Sequence, residues 1–570
     1  MTGGRSRPPP AAAPGAAAPS RPARLHDGST PRTRPPALAA VLAVAACTLT
    51  ACANGGAPAA RQATPPAFTT SVPAPTKDVE TVTWNVPAGE PPTLDPAQSA
   101  IESVSTIVAN MCEGLFTLGP GYRTEPALAT AIDHPDPLSY VIHLREGVTF
   151  WDGKPVTPED VVYSVRRILD PKLGSSWIGW AAHLDTLEIT GKHEITLKLK
   201  KPDVVVPNFF AMPAFFVVQK AYAEAAGKDF GTAKGGVMCT GPYQPGGWTQ
   251  GQNITLTRND AWWNGSVKPK VKNLRFTFVS DPSAQSAALA SGDVDGQFNV
   301  PRAAHDQLSG KGRLLFAPSL APTFLAVINQ TGALSDPAAR QAVQALIDYR
   351  GVIGSVYQGT AQPLRALVPP QAWGYAKDVY QAEYDKLPQP AQDLDRAKQL
   401  VAGSAKAKEK IVLAYTTAIE EETRIATAIA DAATQAGMKI ELKPLTAEQF
   451  GAVFASAQAR AGIDMFLSTG YLDFPEPLAY YQFFTTGNFY NFGGYSDKDY
   501  DAAIAQAMVT EDPAARAAEV AKAQTIMAKD LATIPIATQY VNVYYGPALT
   551  GLVPRQSYLY TPWAASLGGV

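Results

Sequence analysis

Histidine is scarce in this 570-residue chain: six residues, no two of them at a spacing that would hold a metal ion. No Gly-x-Ser-x-Gly, no Gly-x4-Gly-Lys-Ser/Thr, no His-Glu-x-x-His and no Cys-His arrangement occurs. The common hydrolase, nucleotide-binding and metalloprotease signatures are therefore missing, and no enzyme, metal or cofactor is expected. Excess positive charge is missing too. Residues 1–51 carry six Arg and one acid, which leaves 42 basic and 49 acidic residues beyond them, a net charge of −7. That balance offers no footprint for nucleic acid. The longest apolar run, Ala37 to Ala51, has 15 residues, short for a membrane span.

That run follows Arg32 and Arg34, and it is followed by Leu49-Thr50-Ala51-Cys52. Basic residues, a short apolar stretch and this tetrapeptide match a bacterial lipoprotein signal, in which cleavage precedes the cysteine and its sulfur carries lipid. Residues 1–51 are read as the signal peptide and Cys52 as the lipidation site, so the membrane is met through a lipid anchor only. Residues 52–77, rich in Pro, Ala and Thr, are read as a flexible tether.

The remaining chain has the composition of a globular protein with room for two or three domains. Tyr140, Ile142 and Leu144 alternate with Val141 and His143, the period of a half-buried strand. Arg145-Glu146-Gly147 reads as a turn, Val148–Trp151 as a returning strand, and Asp152-Gly153 as a tight turn. Thr157-Pro158-Glu159-Asp160 reads as a helix start: a capping hydroxyl, a proline at the first helical position, and acids at the positive end of the dipole. Val162, Val165 and Leu169 form its apolar stripe, and Asp170-Pro171 ends it. Further on, a strand at Ile411–Tyr415, a helix at Thr423–Gln435 capped by Gly437, and a strand at Lys439–Leu442 make a β-α-β pattern. That pattern predicts a mostly parallel sheet with helical crossovers. Ile463–Leu467 reads as a buried strand. The loop beyond it, Ser468 to Pro477, stands where ligands gather in open α/β sheets.

The wording from Leu144 to Ser164, LREGVTFWDGKPVTPEDVVYS, resembles the signature region of family 5 extracytoplasmic solute-binding proteins, the peptide-binding components of ABC importers. Matches recur in order: Thr93-Leu94-Asp95-Pro96, Cys112-Glu113-Gly114-Leu115, Cys239-Thr240-Gly241-Pro242-Tyr243, Trp262-Trp263, Ser291 to Asp295, Pro369-Pro370 with Trp373-Gly374-Tyr375, and Ser496 to Ala507. The resemblance implies an α/β, bilobal periplasmic-binding-protein fold, type II-like, with three domains, mixed sheets and a hinge between lobes. Lobe 1 would take residues 78–119, 239–327 and 542–570, a small satellite domain 120–238, and lobe 2 328–541. The chain would pass between lobes near Phe324–Asn329 and Gln539–Tyr544.

The resemblance also implies a function: capture of a peptide by lobe closure and delivery to permease subunits whose ATPases are separate chains, the binding protein itself a monomer. Peptide-binding members carry an Asp in the loop after the buried strand, where it pairs with the peptide's α-ammonium; the matching residue here is Asp473. An ammonium taken into a closed cleft needs such a counter-charge. The other reading of Asp473 is an Asx-type loop residue bonded to nearby backbone. Gly470, Tyr471 and Phe474 of the same loop, and Trp373 from a facing segment, are the remaining candidates to line the ligand. Dipeptide-selective relatives place an Arg shortly after the strand at 411–415. Here no base occurs until Arg424, which favours a longer peptide. Other cargoes of the same fold (an oligosaccharide, haem or a metal chelate) and a regulatory or scaffold lipoprotein are the alternatives. Cys112 and Cys239 both replace other residues in the family's wording, in segments of one lobe, and a disulfide between them explains both departures; two separate buried thiols are the alternative.

Overall fold

The computed structural model describes residues 65–470 and 472–570. The expected lipidation site Cys52 and the candidate Tyr471 lie outside the described residues.

Strand β1 (Val79–Asn85) buries Val82, Trp84 and Asn85. Gly296 allows its neighbour to approach, since a Cβ there would lie 2.3 Å from the Trp84 ring. The later strands are β2 (Ala129–Asp136), β3 (Ser139–Leu144), β4 (Leu184–Gly191), β5 (Glu194–Leu199), β6 (Tyr243–Thr249), β7 (Asn253–Arg258), β8 (Val271–Thr277), β9 (Gly296–Phe298) and β10 (Arg313–Val327). They continue with β11 (Ala361–Pro363), β12 (Lys410–Thr416), β13 (Lys439–Leu445), β14 (Met465–Thr469) and β15 (Thr533–Tyr545).

Strands β2 to β5 form an antiparallel sheet in the order β2-β3-β5-β4. The others join one sheet in the order β13-β12-β14-β10-β15-β9-β1-β8-β7-β6, with β11 alongside β15. Among these strands, parallel pairing is confined to β1 with β8 and β9, and to β12 with β13 and β14. The sheet is therefore mixed, not mostly parallel. The helical crossover expected from sequence exists between β12 and β13, but the two long strands β10 and β15 pair antiparallel through the middle.

Those two strands are shared by both halves of the sheet. At one end β15 pairs with β9, and at the other β10 pairs with β14. Strand β15 runs unbroken for 13 residues, because β10 and β11 keep its backbone paired. The register of β10 on β15 breaks twice: between Thr323 and Phe324, at the start of the expected crossing near Phe324–Asn329, and between Pro318 and Pro322. Proline supplies no N–H to a ladder, so a break at this pair is where the backbone yields.

In the small sheet Tyr140, Ile142 and Leu144 face inward as the alternation predicts. The expected return strand Val148–Trp151 does not run back along β3, whose edges are taken by β2 and β5. Gly153, at φ +81°, folds that segment onto its own continuation, with the Phe150 N–H donating to the Lys154 carbonyl at 2.8 Å. Helix α1 (Pro158–Leu169) starts at Thr157, whose hydroxyl and Asp160 cap each other's backbone N–H. Ile168, rather than Leu169, completes its buried stripe. Helix α2 (Glu420–Ala436) ends at Gly437, φ +77°.

Cys112 and Cys239 are joined, their Cα atoms 4.9 Å apart. The same two segments share backbone bonds from Gly241 N–H to the Met111 carbonyl and from Tyr243 N–H to the Asn110 carbonyl. Buried Glu113 accepts from the Thr240 hydroxyl (2.7 Å) and from the indole N–H groups of Trp263 (2.8 Å) and Trp262 (3.2 Å).

Candidate functional site

The loop after β14 continues along β10 past its register break. Gly470 N–H donates to the Pro322 carbonyl (3.2 Å) and Leu472 N–H to the Leu320 carbonyl (2.8 Å). Those bonds fix where Asp473 emerges. A Cβ placed on Gly470 would meet nothing within 4 Å, so space stands open beside the backbone there.

Asp473 itself is buried, 8 % exposed, and its Oδ1 accepts the Tyr560 hydroxyl at 2.6 Å. No basic side chain among the described residues pairs with it. Burial pushes its carboxyl up to about 7, and the Tyr560 bond only partly opposes that shift. Phe474 is 1 % exposed and packs its ring against Trp180 (5.3 Å), Phe209 (6.3 Å) and Tyr480 (6.1 Å). Trp180 and Phe209 reach this loop from well over 200 residues earlier in the chain. Beside them lies a gap of about 100 Å³ walled by Trp180, His183 and Asp203 on one side and Phe483, Asn488 and Tyr490 on the other.

Trp373 is not at the gap. It is 2 % exposed, stacked on Tyr380 (5.7 Å) and edge-on to Tyr384 (5.4 Å), within the core of its own segment. Its neighbours serve the loop instead. A Cβ on Gly374 would come within 2.1 Å of the Pro475 carbonyl oxygen, and the Tyr375 hydroxyl donates to Glu476 at 2.8 Å. Glu476, pushed up to about 7 by burial, caps the short helix Pro477–Tyr481. Glu422 accepts the N–H of Thr416 (3.2 Å) and of Thr469 (2.8 Å), tying together the ends of β12 and β14; burial pushes it up to about 7 as well. Across the long strands, Arg302 pairs with Glu421, bonds Thr360 (3.1 Å) and Gln539 (3.0 Å), and lies over the Tyr357 ring.

Residues 123–492 match the family described as bacterial extracellular solute-binding proteins, family 5. The chain belongs to that family. Among the relatives of this family 5 protein is the periplasmic murein peptide-binding protein MppA of Escherichia coli K12, 25% identical over 482 residues, covering 80% of this chain and 86% of MppA. The dipeptide-binding protein DppE of Bacillus subtilis is 26% identical over 473 residues, covering 78% of this chain and 84% of DppE. In structure, the substrate-binding protein CtaP of Listeria monocytogenes superposes with a TM-score of 0.73 at 22% identity, over 86% of this chain and all of CtaP. The α/β fold with mixed sheets is thus that of the family. Among the described residues of this family 5 protein, no helix is long and apolar enough to cross a membrane, and no group of three His, Cys, Asp or Glu stands ready for a metal.

Tyr560, Trp180 and Glu422 escaped the sequence reading. Tyr560 lies 87 positions from the carboxylate it holds, and Trp180 meets Phe474 across nearly 300 residues; no spacing rule reports such pairs. Glu422 had a signal, an acid at the start of a helix following a strand, but its two acceptor bonds depend on β14 lying beside β12.

Proposed function

We propose that this protein is an extracytoplasmic lipoprotein that captures peptides of more than two residues and passes them to an ABC permease with separate ATPase subunits. On this reading it acts as a monomer, turns nothing over, and is held at the membrane through lipid on Cys52. Two curated relatives whose names specify murein peptides and dipeptides support peptide as the cargo. The observation that carries the site assignment is Asp473: a buried carboxyl bonded to a tyrosine hydroxyl and, among the described residues, paired with no basic side chain, in a loop with open space at Gly470. A peptide's α-ammonium supplies the missing charge, and an extended main chain can bond the loop backbone. The open space beside Gly470 would take the first residue of the ligand, with buried Phe474 backing the loop.

Asp473→Asn keeps the shape and removes the charge. Truncating one partner of a buried charge pair costs about 2–5 kcal/mol, so calorimetry should record a fall of tens-fold or more in affinity for a free-amine tripeptide. N-acetylated tripeptide should bind wild type weakly and be little affected by the change. Equal affinities of wild type and Asp473→Asn for the free-amine peptide would refute the anchor.

A further inference from the structure

Opposite α2, on the other face of β10 and β14, lies a cavity of about 180 Å³ walled by Phe324, Ala326, Phe454, Phe466 and Phe492. No charged side chain lines it. Phe454 stands 5.4 Å from Phe466 and 6.2 Å from Phe492 by ring centroids, and at 37 % exposure it leaves the cavity open to solvent on one side. An apolar cavity of about 150 Å³ takes benzene, so this one has room for a single aryl group. A guest would remove these apolar walls from water, which the hydrophobic effect favours.

Phe483 and Tyr490 line both this cavity and the gap beside the binding loop. On the gap side Phe483 packs against Trp180 (4.9 Å), and Trp180 packs against Phe474, the residue after Asp473. The Phe483 and Tyr490 rings are therefore a wall common to the cavity and the gap.

We propose that the cavity is a side chamber that receives one aromatic side chain of the captured ligand. The identity of the guest rests on the peptide reading above; the chamber does not, and it should accept a free aryl molecule. Indole titrated into the protein, followed by NMR, should bind saturably to wild type. Ala326→Phe and Ala532→Phe each fill the cavity from a different wall and should weaken indole at least tenfold. Ala-Phe-Ala should bind wild type at least tenfold more tightly than Ala-Ala-Ala, a preference that Ala326→Phe abolishes. Asp473→Asn should weaken both tripeptides and spare indole. Absence of saturable indole binding to wild type overturns the chamber whatever Asp473 does. So does undiminished indole binding in filled variants that keep the wild-type circular dichroism. Indole binding with neither tripeptide bound overturns the guest and the peptide reading together, and leaves the chamber standing.

Discussion

The Tyr560 hydroxyl donates to Asp473 Oδ1 at 2.6 Å, linking a turn near the chain's C-terminus to the loop after β14. This bond orients the carboxyl and stabilises its charged form while no ligand is present. Tyr560→Phe should remove one charge-assisted hydrogen bond, worth about 1.5–3 kcal/mol, and raise the carboxyl further. Affinity for a free-amine peptide at pH 7 should drop roughly tenfold or more and recover in part at pH 8. Calorimetry at the two values tests this; an unchanged affinity at both would remove Tyr560 from the site.

The pH dependence of binding follows from the same carboxyl. Burial lifts Asp473 to about 7, against an ordinary value of about 4. An arriving ammonium favours the ionised form, so below about pH 7 binding must expel a proton and affinity falls toward tenfold per pH unit. Above roughly pH 8 the peptide amine itself loses its proton. Affinity should therefore peak between about 7 and 8. Calorimetry in buffers of different ionisation enthalpy should detect proton release on the acid side, and Asp473→Asn should lose that acid limb.

The Cys112–Cys239 bond closes a separation of 127 residues across the first half of the chain. In the chain-entropy model a loop of this length contributes about 4–5 kcal/mol, less any native strain. The Cys112→Ser/Cys239→Ser variant should melt several degrees lower than wild type. In the unfolded but unreduced wild type, both residues should resist alkylation. Two reactive thiols there would show the bond does not form.

Anchoring is tested separately. Lipoproteins carry more than one acyl chain, enough for stable attachment where a single chain is marginal. Cys52→Ser should therefore move the protein from the membrane fraction to the surrounding medium. Retention in membranes would count against the lipid anchor.

Local chemistry made much of this protein legible from its sequence. The alternation from Tyr140 to Leu144, the cap at Thr157 and the terminator at Gly437 each depend on residues within a few positions of one another, and all three appear as read. Contiguous wording, from Leu144 to Ser164 and onward, was enough to indicate the family. What local order cannot encode is which strand lies beside which. The reading of Val148–Trp151 as a return strand failed because β2 and β5 already occupied both edges of β3. Trp373 reads in sequence as a candidate to line the ligand, since an aromatic side chain looks the same there whether it faces a ligand or, as here, two tyrosines. The surroundings of Asp473 were decided only by tertiary structure. Its hydroxyl partner lies 87 positions away, and the Trp180 ring against neighbouring Phe474 lies nearly 300 away, beyond the reach of any local pattern.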